Sequence, residues 1–205
     1  MNICSRSLRR AASSRWLIIG LAALLFACGE PPRFTSTNIT GAEFAREFAV
    51  PLTDHTGKLR RLADYKGKAV IVFFGYLQCP DVCPTTLANL AEAMKLLGED
   101  AQRVQVLFIT VDPERDTREL LAAYVPQFNP SFVGLSADAA TTAATASEFK
   151  VFYQKQAGST PNTYTVDHTA NGYVYDPQGR LRLYMMFATS PQNIAADLKL
   201  LLAGK

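Results

Sequence analysis

Histidine and cysteine are scarce in this chain. The 205 residues include two histidines, His55 and His168, and four cysteines. Few side chains are therefore available to complete a site for a soft or borderline metal ion, since thiolate and imidazole are the donors that such ions prefer. We also find no internal repeat and no low-complexity block, so one globular domain with an appendage is the organisation that the length and composition favour.

The chain also lacks any cluster of like charges beyond its N-terminal segment. Four of its 21 basic residues precede Cys28, and they are Arg6, Arg9, Arg10 and Arg15. The remainder has 17 basic and 18 acidic residues, with no basic stripe. Nucleic acid is therefore not expected as a partner.

Long hydrophobic runs are missing too, apart from the twelve apolar residues at 16–27. A bilayer span needs about 20 residues, so this run is short for a membrane helix. A basic start followed by a short apolar core is typical of an export signal. We therefore predict a signal peptide over residues 1–27, with an uncleaved anchor helix as the alternative.

The end of that segment, "LFAC", resembles the bacterial lipobox, in which a peptidase cuts before a cysteine that then carries acyl chains. The resemblance implies lipidation at Cys28 and stable attachment to a membrane through the lipid anchor. It also implies a periplasm-facing lipoprotein of the bacterial cell envelope. We assign residues 28–43 to a tether and residues 44–205 to a single domain, in which Cys79 and Cys83 are the remaining free cysteines.

The hydrophobic patterns of this domain indicate an α/β fold. The continuous apolar run "KAVIVFF" is typical of a strand buried on both faces, and "VQVLFITV" is predicted as a second buried strand. Amphipathic helices are predicted to follow them, and a late hairpin turns at "DPQG" before a final helix. This order favours a thioredoxin-like three-layer α/β/α fold with a central mixed sheet. The predicted strands lie at 47–52, 68–74, 104–111, 132–135, 151–155, 164–166, 172–175 and 180–186, and the helices at 85–97, 118–125, 138–149 and 191–202.

Cys79 and Cys83 lie in the segment "FFGYLQCPDVCPTTL", between a buried strand and a helix. If Cys83 lies in the first helical turn, both thiols project to the same side, about 5–6 Å apart at Cβ. A disulfide would close a very short loop and so contribute little as a structural staple. A redox disulfide pair and half of a metal site both remain open, and a helix N-terminus favours the thiolate that each requires.

His168 is the candidate for a third ligand. In a thioredoxin-like fold, the loop entering the late hairpin lies against the loop that carries the cysteines. A Cys-Cys-His site suits copper in both oxidation states better than zinc, which usually takes four ligands. The alternative is that His168 is a surface residue beside Asp167. We interpret His55 as a solvated turn residue, and the pair Met185-Met186 as packing.

Three motifs occur together in this order: the cysteine segment, "VLFITVDPERDT" and "DHTANGYVYDPQGRL". The chain resembles the Sco/SenC family of copper-binding thioredoxin-fold proteins over residues 44–204. The resemblance implies Cys79, Cys83 and His168 as ligands of Cu(I) or Cu(II). Asp81 and Asp112 match common family positions without being ligands. The segment Leu77-Gln78 departs from the polar pair found in many relatives.

The same resemblance implies a copper metallochaperone, a carrier rather than an enzyme. It would deliver copper to the dinuclear copper centre of cytochrome c oxidase, or keep the cysteines of that centre reduced. The expected partners are that copper-centre subunit and a thiol reductant protein, because Cu(I) uptake needs a reduced pair. The alternatives are a thiol-disulfide oxidoreductase and a copper or redox sensor. The first is weakened by the three residues between the cysteines, where thioredoxins have two.

Overall fold

A mixed eight-stranded sheet forms the centre of the part of the chain that the computed structural model describes, residues 33–160 and 163–205. The strands of this sheet are β1 (Thr37–Asn38), β2 (Leu52–Asp54), β3 (Leu59–Arg60), β4 (Ala69–Gly75), β5 (Val104–Thr110), β6 (Val133–Ser136), β9 (Gly172–Tyr175) and β10 (Leu181–Met185). A separate two-stranded sheet contains β7 (Tyr153–Ala157) and β8 (Tyr164–His168). The α-helices are α1 (Val82–Leu97), α2 (Arg118–Phe128), α3 (Ala139–Glu148) and α4 (Pro191–Leu202), and short 3-10 helices cover Leu62–Tyr65 and Gly98–Arg103.

The strand order of the large sheet is β1-β10-β9-β4-β5-β6-β2-β3. The pairs β4–β5 and β5–β6 are parallel, and their crossovers contain α1 and α2. The pair β4–β9 and the remaining pairs are antiparallel, which makes the sheet mixed as predicted. All seven residues of β4 and all seven of β5 are buried, as expected for apolar strands in the middle of a covered sheet. The helix α1 packs on α4, and α2 packs on β6.

The predicted helices at 118–125 and 191–202 are confirmed, with local capping that explains where they begin. The Thr117 side chain accepts a hydrogen bond from the Leu120 N–H, and Ser190 accepts one from the Asn193 N–H. Pro191 occupies the first turn of α4, where its missing N–H costs nothing. The helix α1 begins at Val82 rather than at the predicted residue 85, and therefore includes the second cysteine of the motif in its first turn.

The strand predicted over residues 47–52 is wrong except at its last residue, where β2 begins. The preceding segment is held by side-chain contacts instead of a strand ladder. Oxygens of the Glu47 carboxylate accept hydrogen bonds from the N–H groups of Leu62 and Ala63, at 2.5 and 3.1 Å. These two N–H groups belong to the start of a 3-10 helix, whose first donors lack partners within the helix.

The tether boundary also needs correction, because residues 33–43 belong to the folded unit, which begins at Arg33. The strand β1 pairs with β10, and the buried carboxylate of Asp197 accepts hydrogen bonds from the backbone N–H groups of Thr35 and Ser36, at 2.7 and 2.9 Å. A buried carboxylate needs such donors, and here the N-terminal segment supplies them. The predicted signal peptide, Cys28 and the tether up to residue 32 lie outside the described residues, as do residues 161 and 162.

The hairpin of β9 and β10 turns at residues 176–179 as predicted, with Gly179 at a φ of +79° and Asp176 accepting from the Gln178 N–H. Met185, at the end of β10, is buried and Met186 is exposed, so one of the two packs in the core as predicted. Among the described residues, no helix is long and apolar enough to cross a membrane.

Candidate metal centre

The two cysteines lie at the carboxyl end of β4, where the chain turns into α1. Cys83 is completely buried in the first turn of the helix, and Cys79 is half-buried in the preceding loop. A Cβ atom on Gly75 would lie 2.8 Å from the Cys83 Sγ and 2.8 Å from the Phe108 ring. The thiol therefore occupies the space above the last residue of β4, and this space exists because that residue is glycine.

His168 closes the site from the other side, at the end of β8. Its Nε2 lies 3.3 Å from the Cys83 Sγ, and the ligand atoms of the two cysteines and the histidine all lie within 4.8 Å of one another. The imidazole meets the rings of Phe73 and Tyr76 edge-on, with centroids 6.2 and 5.9 Å away. The structure thus brings together the three residues that we predicted as ligands, although His168 is 85 positions from Cys83 along the chain.

The hydrogen bond of His168 fixes which nitrogen is free. Its Nδ1 lies 3.0 Å from the backbone carbonyl oxygen of Thr169. A carbonyl oxygen only accepts, so Nδ1 carries the proton, and the lone pair of Nε2 stays free on the side of the ring that faces the cysteines. A histidine oriented in this way by its neighbour is typical of metal ligation.

The two thiols differ in their acidity. The hydrogen bond from the Cys83 thiol, helped by the backbone N–H of Cys83 at 3.4 Å, lowers the pKa of Cys79 to about 4. The same hydrogen bond, together with burial, raises the pKa of Cys83. Cys79 is therefore the thiolate of the pair at neutral pH, while Cys83 releases its proton when a cation replaces it.

This cluster is the kind of donor set that could hold a metal ion, with two soft sulfurs and one borderline nitrogen. Both cysteines are free in the structure. A groove of about 470 Å³ leads to it, lined by residues of the cysteine loop and of β8. An ion held there would therefore be reachable by the side chains of another protein.

The other residues singled out in the sequence are not part of this cluster. His55 lies in a turn as predicted, but it is half-buried rather than fully solvated, and its Nδ1 accepts a hydrogen bond from the Gly134 N–H at 3.0 Å. It shares a turn with Asp54, whose carboxylate accepts hydrogen bonds from the Thr56 and Lys58 N–H groups of that turn.

The two aspartates of the family motifs are also outside the cluster. Asp81 is exposed and accepts a hydrogen bond from the Thr85 hydroxyl. Asp112 is fully buried and bonds Arg115 at 2.5 Å, which fits a role in shaping its turn.

Two residues that support the site, Asp116 and Arg115, were not predicted from the sequence. The buried Asp116 carboxylate accepts hydrogen bonds from the Leu77 N–H at 3.0 Å and from the Thr110 hydroxyl at 2.6 Å, and so fastens the start of the cysteine loop to β5. Arg115 contacts both this loop and β8. Each is one of several charged residues in "DPERDT", and the sequence contains no local pattern that distinguishes them.

A sequence model of SCO1/SenC matches residues 36–203, which is nearly all of the described chain. The chain belongs to the SCO1/SenC family. It is 31% identical over 189 residues to the SCO2-like protein of Rickettsia felis, covering 89% of this chain and 92% of that protein. It is 36% identical over 150 residues to the mitochondrial SCO2 homolog of Bos taurus, covering 72% of this chain. The match spans only 56% of that bovine relative.

Solved structures agree with this assignment. ScoI of Bradyrhizobium japonicum, solved with copper bound, is 40% identical and superposes with a TM-score of 0.69 over 75% of this chain and 97% of its own. The thioredoxin-like Sco fold predicted from the sequence is therefore confirmed.

Proposed function

We propose that this protein is a copper metallochaperone, with Cys79, Cys83 and His168 as the ligands. The observation that carries the proposal is the convergence of two thiols and a correctly oriented imidazole within 4.8 Å. Thiolates and imidazole together suit Cu(I) and Cu(II), and a three-donor set suits zinc less well. The copper-bound relative, at 40% identity, supports copper as the cargo.

Uptake and release follow from the acidity of the thiols. The Cys79 thiolate meets the incoming ion first, because it is the more exposed and the more acidic of the pair. Cys83 then gives up its proton and joins the site, and His168 donates its Nε2 lone pair. Release occurs by ligand exchange through the open groove, as thiolates of an acceptor replace those of this chain one at a time.

The proposal extends to the partners and the location of the carrier. The acceptor is the copper-centre subunit of cytochrome c oxidase, and a thiol reductant protein keeps the cysteine pair reduced. A signal peptide over residues 1–27 directs export, and acyl chains on Cys28 hold the domain on a membrane of the bacterial cell envelope, facing the periplasm. The basic start, the short apolar core and the "LFAC" sequence support this location. Mass spectrometry of the protein isolated from membranes tests the lipidation directly.

Metal titration tests the carrier function. Cu(I) and Cu(II) are titrated separately into the reduced wild-type protein and into His168→Ala. We expect one ion per chain in the wild type, and at least about a 100-fold loss of Cu(II) affinity in the variant. Removing a ligand should lower metal affinity more than removing a residue that only orients a ligand, which costs about 10- to 100-fold. His55→Gln is the matched control, since it replaces the other histidine and should leave both affinities unchanged. No stoichiometric binding by the wild type would contradict the proposal.

A thiol-disulfide oxidoreductase is the second candidate, and the low pKa of Cys79 favours it. A half-buried cysteine with a pKa of about 4 is a thiolate at neutral pH, ready to attack a partner's disulfide, with Cys83 resolving the intermediate. The two functions differ in their need for His168. Disulfide reductase turnover that is unchanged in His168→Ala would favour the oxidoreductase over the carrier.

A further inference from the structure

Arg115 connects the two halves of the metal centre, although it belongs to neither. Its Nη1 donates to the Gln78 side-chain oxygen at 3.0 Å and to the Tyr164 carbonyl oxygen at 2.9 Å. Gln78 directly precedes Cys79 in the cysteine loop, and Tyr164 is the first residue of β8, the strand that ends at His168. One guanidinium therefore bridges the loop with the thiols and the strand with the imidazole.

The guanidinium is itself held in place. Its Nε donates to the buried carboxylate of Asp112 at 2.5 Å, and its central carbon lies 3.5 Å from the centroid of the Tyr164 ring. The Tyr164 hydroxyl donates to the other oxygen of Asp112 at 2.7 Å. A planar guanidinium that stacks on a ring and donates three hydrogen bonds has little rotational freedom, so it can fix the position of one segment relative to the other. We call this set of Arg115, Gln78, Asp112 and Tyr164 the Arg115 bridge.

The strand that carries His168 has few other attachments. Within the part of the chain that the structure describes, the strands β7 and β8 pair only with each other, outside the large sheet. In β8 the one buried residue is Val166, and four of the five residues of β7 are exposed. With so little apolar surface buried, this hairpin should open more easily than the central sheet unless polar contacts such as the Arg115 bridge hold it.

We propose that Arg115 is a positioning residue for the metal centre, holding the β7–β8 hairpin against the cysteine loop so that the His168 Nε2 stays within reach of both thiols. This inference rests on the proposed copper function and deepens it. Two thiolates alone can hold Cu(I), whereas Cu(II) depends more on the nitrogen donor. The Arg115 bridge therefore sets the affinity for Cu(II) relative to Cu(I).

The test measures the affinities of the full chain for Cu(I) and Cu(II) in a double-mutant cycle. Arg115→Ala is made in the wild type and in His168→Ala. We expect about a tenfold loss of Cu(II) affinity in the wild-type background, a shift in the Cu(II) absorption and EPR spectra, and little loss of Cu(I) affinity. In the His168→Ala background the same substitution should change nothing further, because the residue that Arg115 positions is gone. Equal losses in both backgrounds would overturn the proposal.

Two further variants guard against general misfolding. Gln78→Ala removes one exposed end of the bridge and leaves Asp112 paired, so it should fold normally and show a smaller loss of Cu(II) affinity in the same direction. Arg118→Ala is the matched control, since this arginine is exposed, pairs with Glu119 and should have no effect. Unchanged Cu(II) binding in both Arg115→Ala and Gln78→Ala would also overturn the proposal.

A metal-free measurement separates this inference from the proposed function. Amide hydrogen exchange of the reduced protein without copper should accelerate across β7 and β8 in Arg115→Ala, with β4 unchanged. If the wild type binds no copper, the chaperone proposal fails, and the exchange result still decides whether Arg115 holds the hairpin. If copper binds but exchange in the hairpin is unaffected, the positioning role fails alone.

Discussion

The two sides of the metal centre are built very differently. The cysteines follow β4, whose seven residues are all buried between β5 and β9, and Cys83 itself has no exposed surface. His168 ends a strand of a separate and largely exposed hairpin. The thiol side of the site (Cys79 and Cys83) is therefore preorganised by the main core. The imidazole side (His168 on β8) is positioned by a small number of contacts. Such a division suits a carrier, because the site can stay formed while one ligand moves away.

The strongest way to disturb the thiol side is to fill the space above β4. In Gly75→Ala, the new methyl group meets the Cys83 Sγ and the Phe108 ring, each at 2.8 Å, so both must shift inside a fully packed core. We expect a loss of up to about 3 kcal/mol in the free energy of unfolding. Chemical denaturation measures this loss, and Cu(I) titration should show a weaker site because Cys83 is displaced.

Gly134→Ala is the matched control for that substitution. Gly134 lies on β6, away from the thiols. A Cβ atom there would meet side-chain atoms of Val125 and Leu121 in α2 at 3.2–3.3 Å. It should cost less stability than Gly75→Ala and leave the Cu(I) affinity unchanged. Equal effects of the two substitutions on Cu(I) binding would mean that copper affinity follows overall stability rather than the position of Cys83.

The second prediction concerns pH and the attachment of the cysteine loop to the core. Burial raises the pKa of Asp116 to about 6, from 3.8. The folded state therefore holds this proton more tightly than the unfolded state does. The stability that Asp116 contributes is fully present below pH 3.8 and is lost as pH rises through about 6, a change on the order of 3 kcal/mol.

Asp116→Asn removes this titration, while its amide oxygen can still accept from the Leu77 N–H and the Thr110 hydroxyl. The stability of the variant relative to wild type should rise between pH 4 and pH 6 and then level off. Urea denaturation of the metal-free reduced protein at several pH values measures the difference. The lowered pKa of Asp54 acts in the opposite direction, but it is common to both proteins and cancels. A constant difference across this range would contradict the prediction.

The same contrast explains what could be predicted from the sequence. The strand β4 is a continuous apolar run, β5 is mostly apolar, and the cysteine motif lies directly between β4 and α1, so local sequence pattern is sufficient to predict the part of the site that holds the thiols. That His168 lies beside the cysteines could be predicted only from the resemblance to a family and its fold, because no local sequence pattern links residues 85 positions apart.

Long-range polar contacts were not predictable in this way. Arg115 meets Tyr164 across 49 positions, and the charged sequence around it gives no indication of that partner. Residues 33–43 have the polar composition of a linker, yet they fold onto the domain because Asp197, more than 160 positions away, accepts their N–H groups. Composition describes a segment's own preferences, and both of these outcomes depend on a distant partner that the fold supplies.

The smallest effects we expect come from the same substitution, valine to alanine, made once in the central sheet and once in the β7–β8 hairpin. Val106 in β5 and Val166 in β8 are both buried, and truncation to alanine removes two methyl groups from each. Val106→Ala should cost about 2 kcal/mol of unfolding free energy, because the central sheet cannot collapse around the cavity. Val166→Ala should cost about 1 kcal/mol or less, because the exposed hairpin can relax, yet it should accelerate hydrogen exchange across β7 and β8 and lower the affinity for Cu(II) more than that for Cu(I). Equal costs, with no local change in exchange, would mean that the hairpin is as firmly fixed as the core and that both sides of the site are equally rigid.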